Sequence, residues 1–429
     1  MSERDVHVDH FRRPGPDAAA RSDPAPRWWV PAAAHRPGDE PRFSPFRQRP
    51  ADLSKPDALA AADQLGPHAA GLVRVLEDDG AAAGPWDPHL SASTLRKGLE
   101  LMVLARQFDT RLITMQRQGR LSFYVESKGE EAVAAAAGLA LRFDDLLFPA
   151  YRQPSLFLAR GMSLVDMISH CIGNLGDPIK GRQMPTHYSW KKGNIVSISS
   201  PVGTQFPQAV GAAMAAARRP GGTDVVATWI GDGTTAQGDF HYGLVFASVY
   251  RAPVILNVVN NQWAISTHCS QTQGGPTFAG RAGAFGLPGI RVDGNDFLAV
   301  FAVTAWAAQR ARSGGGATLI ELVTYRAAAH SSSDDPKQYR PDDEVRLWPG
   351  GDPVARLADH MTRIGVWSAG AQQTLEETVR QQVAAAFKEA ERFGSFPEGP
   401  FHPAECLLED VYQKAPWHIE QQRRQLRSA

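Results

Sequence analysis

An acidic side chain and an amide stand where two apolar runs stop, and oxygen donors placed in that way suit a hard cation. In residues 225–265, VVATWIGDGTTAQGDFHYGLVFASVYRAPVILNVVNNQWAI, the run VVATWI ends in Gly231-Asp232-Gly233 and the run VILNVV ends in Asn260-Asn261. Asp232 and Asn261 lie 29 residues apart, the length of one strand-helix-strand crossover. Both side chains then emerge at the carboxyl ends of consecutive parallel strands, the edge at which open α/β sheets bind ligands. Gly231 and Gly233 leave room for a ligand against the backbone, and the next helix offers free N–H groups and partial positive charge, which suits a phosphate. Magnesium takes oxygen donors of this kind together with the oxygens of a bound diphosphate. GDG or NN alone is an ordinary turn signal. At crossover spacing on two buried strands they read together as a magnesium diphosphate site.

The elements that must position this pair follow from periodicity. Beyond residue 220 the pattern predicts a strand near 225–230, a helix near 239–250 and a strand near 254–259. A short strand ending in VDGND (292–296), a helix to about 312 and the strand TLIELVTY (318–325) complete the alternation. The strands are almost wholly apolar, as in a parallel sheet covered on both faces, and the fold class is a doubly wound, mostly parallel α/β sheet. Upstream, Leu95, Leu99, Met102, Phe108, Leu112 and Met115 recur at helical steps, and the Ala-rich run at 132–141 reads as a buried helix. After residue 350 the chain is helical, with no chemistry assigned to it. The expected division is a Pro-rich arm over 1–71, an α/β domain over 72–350 and a C-terminal helical region over 351–429 that packs on the domain and on partner subunits. Eleven of the 31 prolines fall in the first 67 residues, which prevents long regular elements there. Trp28, Trp29, Phe43 and Phe46 within the arm are costly to leave in water, so part of it is expected to lie on a folded surface or a partner.

Composition excludes several classes. The 429 residues carry 45 basic and 45 acidic side chains, with no basic excess to hold nucleic acid or an anionic membrane. The three cysteines, Cys171, Cys269 and Cys406, form no CxxC pair, so neither a structural zinc site nor a disulfide framework is indicated. Apolar stretches fall short of the roughly 20 residues of a membrane span. Glu3, Asp5 and Asp9 argue against a secretory signal, and the expected location is the cytoplasm of a bacterium.

GDG followed by NN at this distance resembles the thiamine diphosphate motif. The surrounding residues resemble the alpha subunit of the decarboxylating component of branched-chain 2-oxo acid dehydrogenase complexes. The resemblance runs from about residue 72 to the end through RLSFYVESKGEEA, FPAYRQPS, KGRQMPTHYS, ISSPVGTQFPQAVGAA, RVDGNDFLAV, TYRAAAHSSSDDPKQYR and DVYQKAP. It implies a fold of the thiamine diphosphate-binding type. It also implies that Asp232, Asn261 and the main-chain oxygen of Trp263 are magnesium ligands, and that Tyr151 and Arg152 contact the cofactor diphosphate, a task suited to a guanidinium. Ser200, Val202, Gly233 and Thr234 fall in cofactor-binding segments. Ser199, Pro201, Thr204 and Gln205 match a monovalent-cation site, for potassium, that orders this segment in some relatives. His330 matches the active-site histidine, which also contacts cofactor. The sequence departs from the pattern at Ala329, where many relatives have a second histidine, and at Val259, where some have a diphosphate-binding arginine. GDG stands for GEG, a shorter carboxylate that can still bind magnesium. Ser331 matches a serine phosphorylated in animal relatives, a regulation not expected in a bacterium.

The resemblance further implies that the carboxylate acting on the cofactor's aminopyrimidine lies on a second domain that this chain has no room for. The expectation is an obligate beta subunit, an α2β2 heterotetramer with the site at the interface, and acyl transfer from a 2-oxo acid to the lipoyl group of a transacylase component. The alternative is a self-contained enzyme in which Glu126, Glu130 or Glu131 supplies that carboxylate. The nearest rival function is a pyruvate or acetoin dehydrogenase alpha subunit, against which FYVESKGEEA and HSSSDD argue. A nicotinamide dehydrogenase would show GxGxxG where residues 231–238 read GDGTTAQG. A non-catalytic binding subunit is the third possibility.

Overall fold

The computed structural model describes residues 36–41, 43, 48–219, 221–396, 398–410 and 412–428. In chain order, α1 (Gly66–Ala70), α2 (Ala92–Arg117) and α3 (Glu131–Ala140) precede β1 (Leu146–Phe148). Helices α4 (Pro154–Ala159), α5 (Leu164–Ile172) and α6 (Gln205–Ala216) lead to β2 (Val226–Gly231), and α7 (Gly238–Val249) leads to β3 (Val254–Asn260). A two-stranded hairpin, β4 (Trp263–Ala264) with β5 (Thr267–His268), is followed by β6 (Gly289–Asp293), α8 (Phe297–Arg312) and β7 (Thr318–Val323). Helices α9 (Glu344–Leu347), α10 (Pro353–Arg363), α11 (Ala369–Ala390) and α12 (Trp417–Ser428) close the chain.

The main sheet has the order β1-β2-β3-β7-β6 and every pairing in it is parallel. Its strands alternate between two cores. In β2, Val226 and Ile230 pack with Phe206 and Val210 of α6 and with Phe240 and Leu244 of α7. Ala227 and Trp229 of the same strand face the opposite core, shared with α3 and α8. Both faces are thus apolar, which is why the strand reads as one unbroken apolar run. Each fully buried Val, Leu or Ile contributes about 1.5–3 kcal/mol relative to exposure. The predicted strands over 225–230, 254–259 and 318–325 correspond to β2, β3 and β7, and the short strand predicted to end in 292–296 is β6, which ends at Asp293.

The helical stripe of α2 is buried at all six predicted positions, Leu95 to Met115. Its start is set by Ser91, whose hydroxyl accepts the Thr94 N–H at 3.2 Å. Asp296 caps α8 through Ala299 N at 3.0 Å, and its other oxygen accepts Val75 N and Leu76 N at 2.8 and 2.6 Å. One buried carboxylate thereby fastens the incoming chain to the sheet edge, where Val73 pairs with Val292. Further upstream, Trp306 and Arg310 of α8 donate to the carbonyls of Pro56, Ala58 and Ala60. Phe43 lies edge-on against Tyr325 and Trp348, with centroids 6.2 and 5.3 Å away. Trp28, Trp29 and Phe46 lie outside the described residues.

Three local features were not foreseen. Helix α7 starts at Gly238, as predicted, but a 3-10 turn, Gly233–Ala236, precedes it, so the N–H groups nearest Asp232 belong to the turn. Strand β1 and the β4–β5 hairpin have three and two residues per strand, too short to carry a periodicity. Glu321 sits inside apolar β7, where its carboxylate accepts from Asn260 Nδ2 at 2.8 Å and Ala279 N at 3.0 Å. Among the described residues no helix is long and apolar enough to cross a membrane.

Candidate active site

The two predicted anchors stand side by side because their strands are paired in register. Gly231 of β2 is opposite Val259 of β3, and the next residue, Asp232, donates its N–H to Val259 O at 3.1 Å. Asp232 is 2% exposed and Asn261 8%. A Cβ on Gly233 would come within 2.4 Å of the Ala264 Cβ, so only glycine lets the turn close against the hairpin. A cleft beside these strand ends is lined by Glu130, Tyr151, Arg152, Val202, Thr234 and Asn261, with Ser199 and Gln205 also in its wall.

The chemistry of the floor fits a cation. Asp232 Oδ2 is buried with no hydrogen-bond partner, a costly state for a carboxylate oxygen in the absence of a cation. Burial pushes the Asp232 pKa up to about 6, against the Gly233 N–H and the Arg326 charge. Among the described residues no group of three His, Cys, Asp or Glu is placed to hold a metal. A cation here would rest on Asp232, amide and carbonyl oxygens and the oxygens of its own ligand, a set magnesium accepts and zinc does not favour. Asn261 accepts Trp263 N at its Oδ1 (3.3 Å) and donates from Nδ2 to Glu130 Oε1 at 2.8 Å. The Trp263 carbonyl accepts Arg326 Nη1 at 2.9 Å, which leaves its second lone pair for another partner.

Arg152 is buried and cross-braces two loops, donating to Glu126 O at 2.6 Å and to His330 O at 3.0 Å. Its Nε lies 3.6 Å from Glu130 Oε1. Tyr151 stacks on His187 and presents its edge to His330, with centroids 6.1 and 6.2 Å away. His330 Nδ1 faces two guanidinium groups, Arg152 Nη2 at 3.4 Å and Arg326 Nη1 at 3.3 Å. Guanidinium only donates, so Nδ1 must accept and the ring proton is assigned to Nε2. Burial, then the charges of Arg152 and Arg326, push the His330 pKa down to about 4, and the ring is neutral at pH 7. Its backbone N–H donates to Asp334 Oδ2, which also accepts Tyr339 OH at 2.6 Å.

The loop over 199–205 brings the remaining predicted residues together. Ser199 Oγ and Thr204 Oγ1 bond each other, and both lie within hydrogen-bond reach of Pro201 O, at 3.1 and 3.2 Å, so one hydroxyl donates to the other and the second donates to that carbonyl. Gln205 donates to Trp229 O at 2.9 Å, while its Oε1 is buried without a partner. Ser200 turns its hydroxyl to Met184 Sδ, and Val202 is 43% exposed at the rim. Val259 contributes an apolar patch of wall, so positive charge at the site comes from Arg152 and Arg326.

Arg326 is the participant that sequence reasoning left without a role. It is fully buried and holds the hairpin by donating to Trp263 O, Ile265 O at 2.8 Å and Tyr339 OH at 2.6 Å. Ile265 has φ +56 and Gln262 φ +72, left-handed values that a β-branched residue in particular adopts only under constraint. Arg340 in turn donates to the carbonyls of Arg326, Ala327 and Ala328, pinning the segment that ends in His330. The available signal was a pair of arginines in TYRAAAHSSSDDPKQYR, between an apolar strand and a helix.

Residues 99–397 match the family model described as dehydrogenase E1 component. A relative from Pseudomonas aeruginosa, named 2-oxoisovalerate dehydrogenase subunit alpha, is 49% identical over 402 residues, 93% of this chain and 98% of its own. Mitochondrial proteins of the same name from Mus musculus and Homo sapiens are each 39% identical over 357 residues, 83% of this chain and 79% of theirs. With its cleft at the carboxyl edge of a parallel sheet and a match of this extent, the chain belongs to the dehydrogenase E1 component family.

Proposed function

We propose that this chain is the alpha subunit of the thiamine diphosphate-dependent decarboxylating component of a branched-chain 2-oxo acid dehydrogenase complex. The observation that carries the reading is a cleft lined by Asn261, Arg152 and Gly231, with His330 bonded to Arg152 and with Asp232, next in the chain to Gly231, keeping its Oδ2 buried and unpartnered. The names of the relatives support the substrate class over pyruvate or acetoin. Asp232, Asn261 and Trp263 O would hold magnesium; Tyr151, Arg152, Ser200, Val202, Gly233, Thr234 and His330 would contact the cofactor. Ser199, Pro201, Thr204 and Gln205 would take a potassium ion, for which the unpartnered Gln205 Oε1 is a suitable donor.

When bound, thiamine diphosphate supplies the nucleophilic carbon and the electron sink for loss of CO2. The work of this chain is to hold and orient. Arg152 holds diphosphate charge while fixing the His330 loop, and neutral His330, with its proton on Nε2, is a hydrogen-bond donor toward substrate at pH 7. Glu130 lies at the Asn261 and Arg152 end of the cleft, and Glu131 is tied to Arg106 at 2.7 Å, positions that argue against these two of the three candidate glutamates as the carboxylate of a self-contained enzyme. In this reading a beta subunit in an α2β2 assembly completes the site, the transacylase lipoyl group accepts the acyl unit, and the setting is bacterial cytoplasm. A substrate panel on the reconstituted αβ pair tests the assignment. Preference for 3-methyl-2-oxobutanoate is expected, and strong preference for pyruvate contradicts it.

A further inference from the structure

We infer that Glu130 is a positioning residue that decides which way the amide of Asn261 points, presenting its oxygen rather than its nitrogen to the cation; this rests on the reading of Asp232 and Asn261 as cofactor anchors. The two neighbouring glutamates of VESKGEEA have separate tasks. Glu131 is a brace, accepting from Arg106 Nε at 2.7 Å and from Gly129 N at 2.9 Å. Glu130, 2% exposed, accepts Asn261 Nδ2 at 2.8 Å. Its own placement is fixed independently of any ligand. Gly129 has φ +94, and a Cβ there would meet Tyr325 O at 2.3 Å, so the loop is pressed against the chain beyond β7. The Gly129 carbonyl is held by Asn295 Nδ2 at 3.1 Å and Thr324 Oγ1 at 2.9 Å, and Lys128 O by Ala327 N at 3.0 Å.

An asparagine amide has two nearly isosteric ends, and only the oxygen can bind a metal. Rotating the Asn261 amide by half a turn would set its oxygen against a Glu130 oxygen and turn its NH2 toward the Trp263 N–H, which now donates to Oδ1. Both replacements are repulsive while Glu130 is a carboxylate, and that form of the site keeps a single rotamer. Neither contact requires the cation, so the oxygen is oriented before binding, which is how groups behind a metal ligand raise affinity.

The test uses the α2β2 enzyme with magnesium titrated at saturating thiamine diphosphate and followed by tryptophan fluorescence. Glu130→Met keeps the volume without an acceptor and is expected to weaken magnesium binding about tenfold, the lower end for loss of a ligand-orienting group. Glu130→Gln keeps an acceptor oxygen and is expected to stay within about threefold of wild type. Asn261→Ala alone should lose affinity, and adding Glu130→Met to it should cost less than about twofold more, because a residue acting through Asn261 has nothing left to orient. Multiplicative losses in the double variant, equal losses in Glu130→Met and Glu130→Gln, or no loss in Glu130→Met would overturn the inference. An unchanged affinity in Asn261→Ala would instead overturn the reading of the site, and the inference with it.

Discussion

The two ends of the cleft are built differently. At the inner end Asp232, Asn261, Glu130, Arg152 and Arg326 are all buried, and each except Asp232 has side-chain bonds that fix it from a second element. Toward solvent, Val202 in the cleft wall is 43% exposed, Met184 against the Ser200 hydroxyl 46% and Ile265 of the hairpin turn 55%, three apolar side chains left in water. The inner end is complete within one chain. Apolar side chains left in water are what a surface awaiting a cover presents, and this contrast supports a partner subunit at the mouth rather than at the floor.

The contrast breaks most readily at Arg152. Arg152→Ala removes two backbone contacts and a cation, and thiamine diphosphate affinity should fall about 100-fold in a calorimetric titration, as loss of charge-assisted hydrogen bonds predicts. Next is Arg326→Lys, since an ammonium cannot span Trp263 O, Ile265 O and Tyr339 OH together. A loss of about 2–3 kcal/mol in denaturant unfolding is expected, and an unchanged midpoint would show that the strained hairpin holds itself.

A smaller effect is expected from pH. The His330 pKa is lowered to about 4 in the folded chain, so the unfolded chain binds the proton first as pH falls from about 6.5. The contribution of His330 is complete above pH 6.5 and is lost progressively toward pH 4. The melting temperature of wild type should therefore drop relative to His330→Gln across that window, and parallel curves would contradict the assigned environment. The smallest effect belongs to the rim. Val202→Ser should change the stability of the chain by no more than about 0.5 kcal/mol while weakening association with the beta subunit, measured by sedimentation.

What could be read from the sequence divides along the same line. Apolar runs announce buried strands, and a carboxylate or amide at the end of such a run marks the strand's carboxyl edge, so β2, β3 and the placement of Asp232 and Asn261 were legible. Glu130 was visible only as one of three candidate carboxylates, not as a partner of Asn261, because Asn261 is 131 residues away and nothing local joins them. Arg326 was hidden for a similar reason, since its role depends on left-handed turns at Gln262 and Ile265 that neither residue type announces. The helix predicted near 239–250 is α7, whereas the 3-10 turn between it and Asp232 is too short to carry a periodicity and was not foreseen.

Whether Asp232 and Asn261 hold a metal diphosphate is tested most directly by titrating thiamine diphosphate and magnesium into the reconstituted αβ enzyme carrying Asp232→Ala. Removing this carboxylate, whose buried Oδ2 has no partner, should lower affinity for both by about 100-fold or more, with the apoprotein still folded. Unchanged affinity for both would contradict that reading.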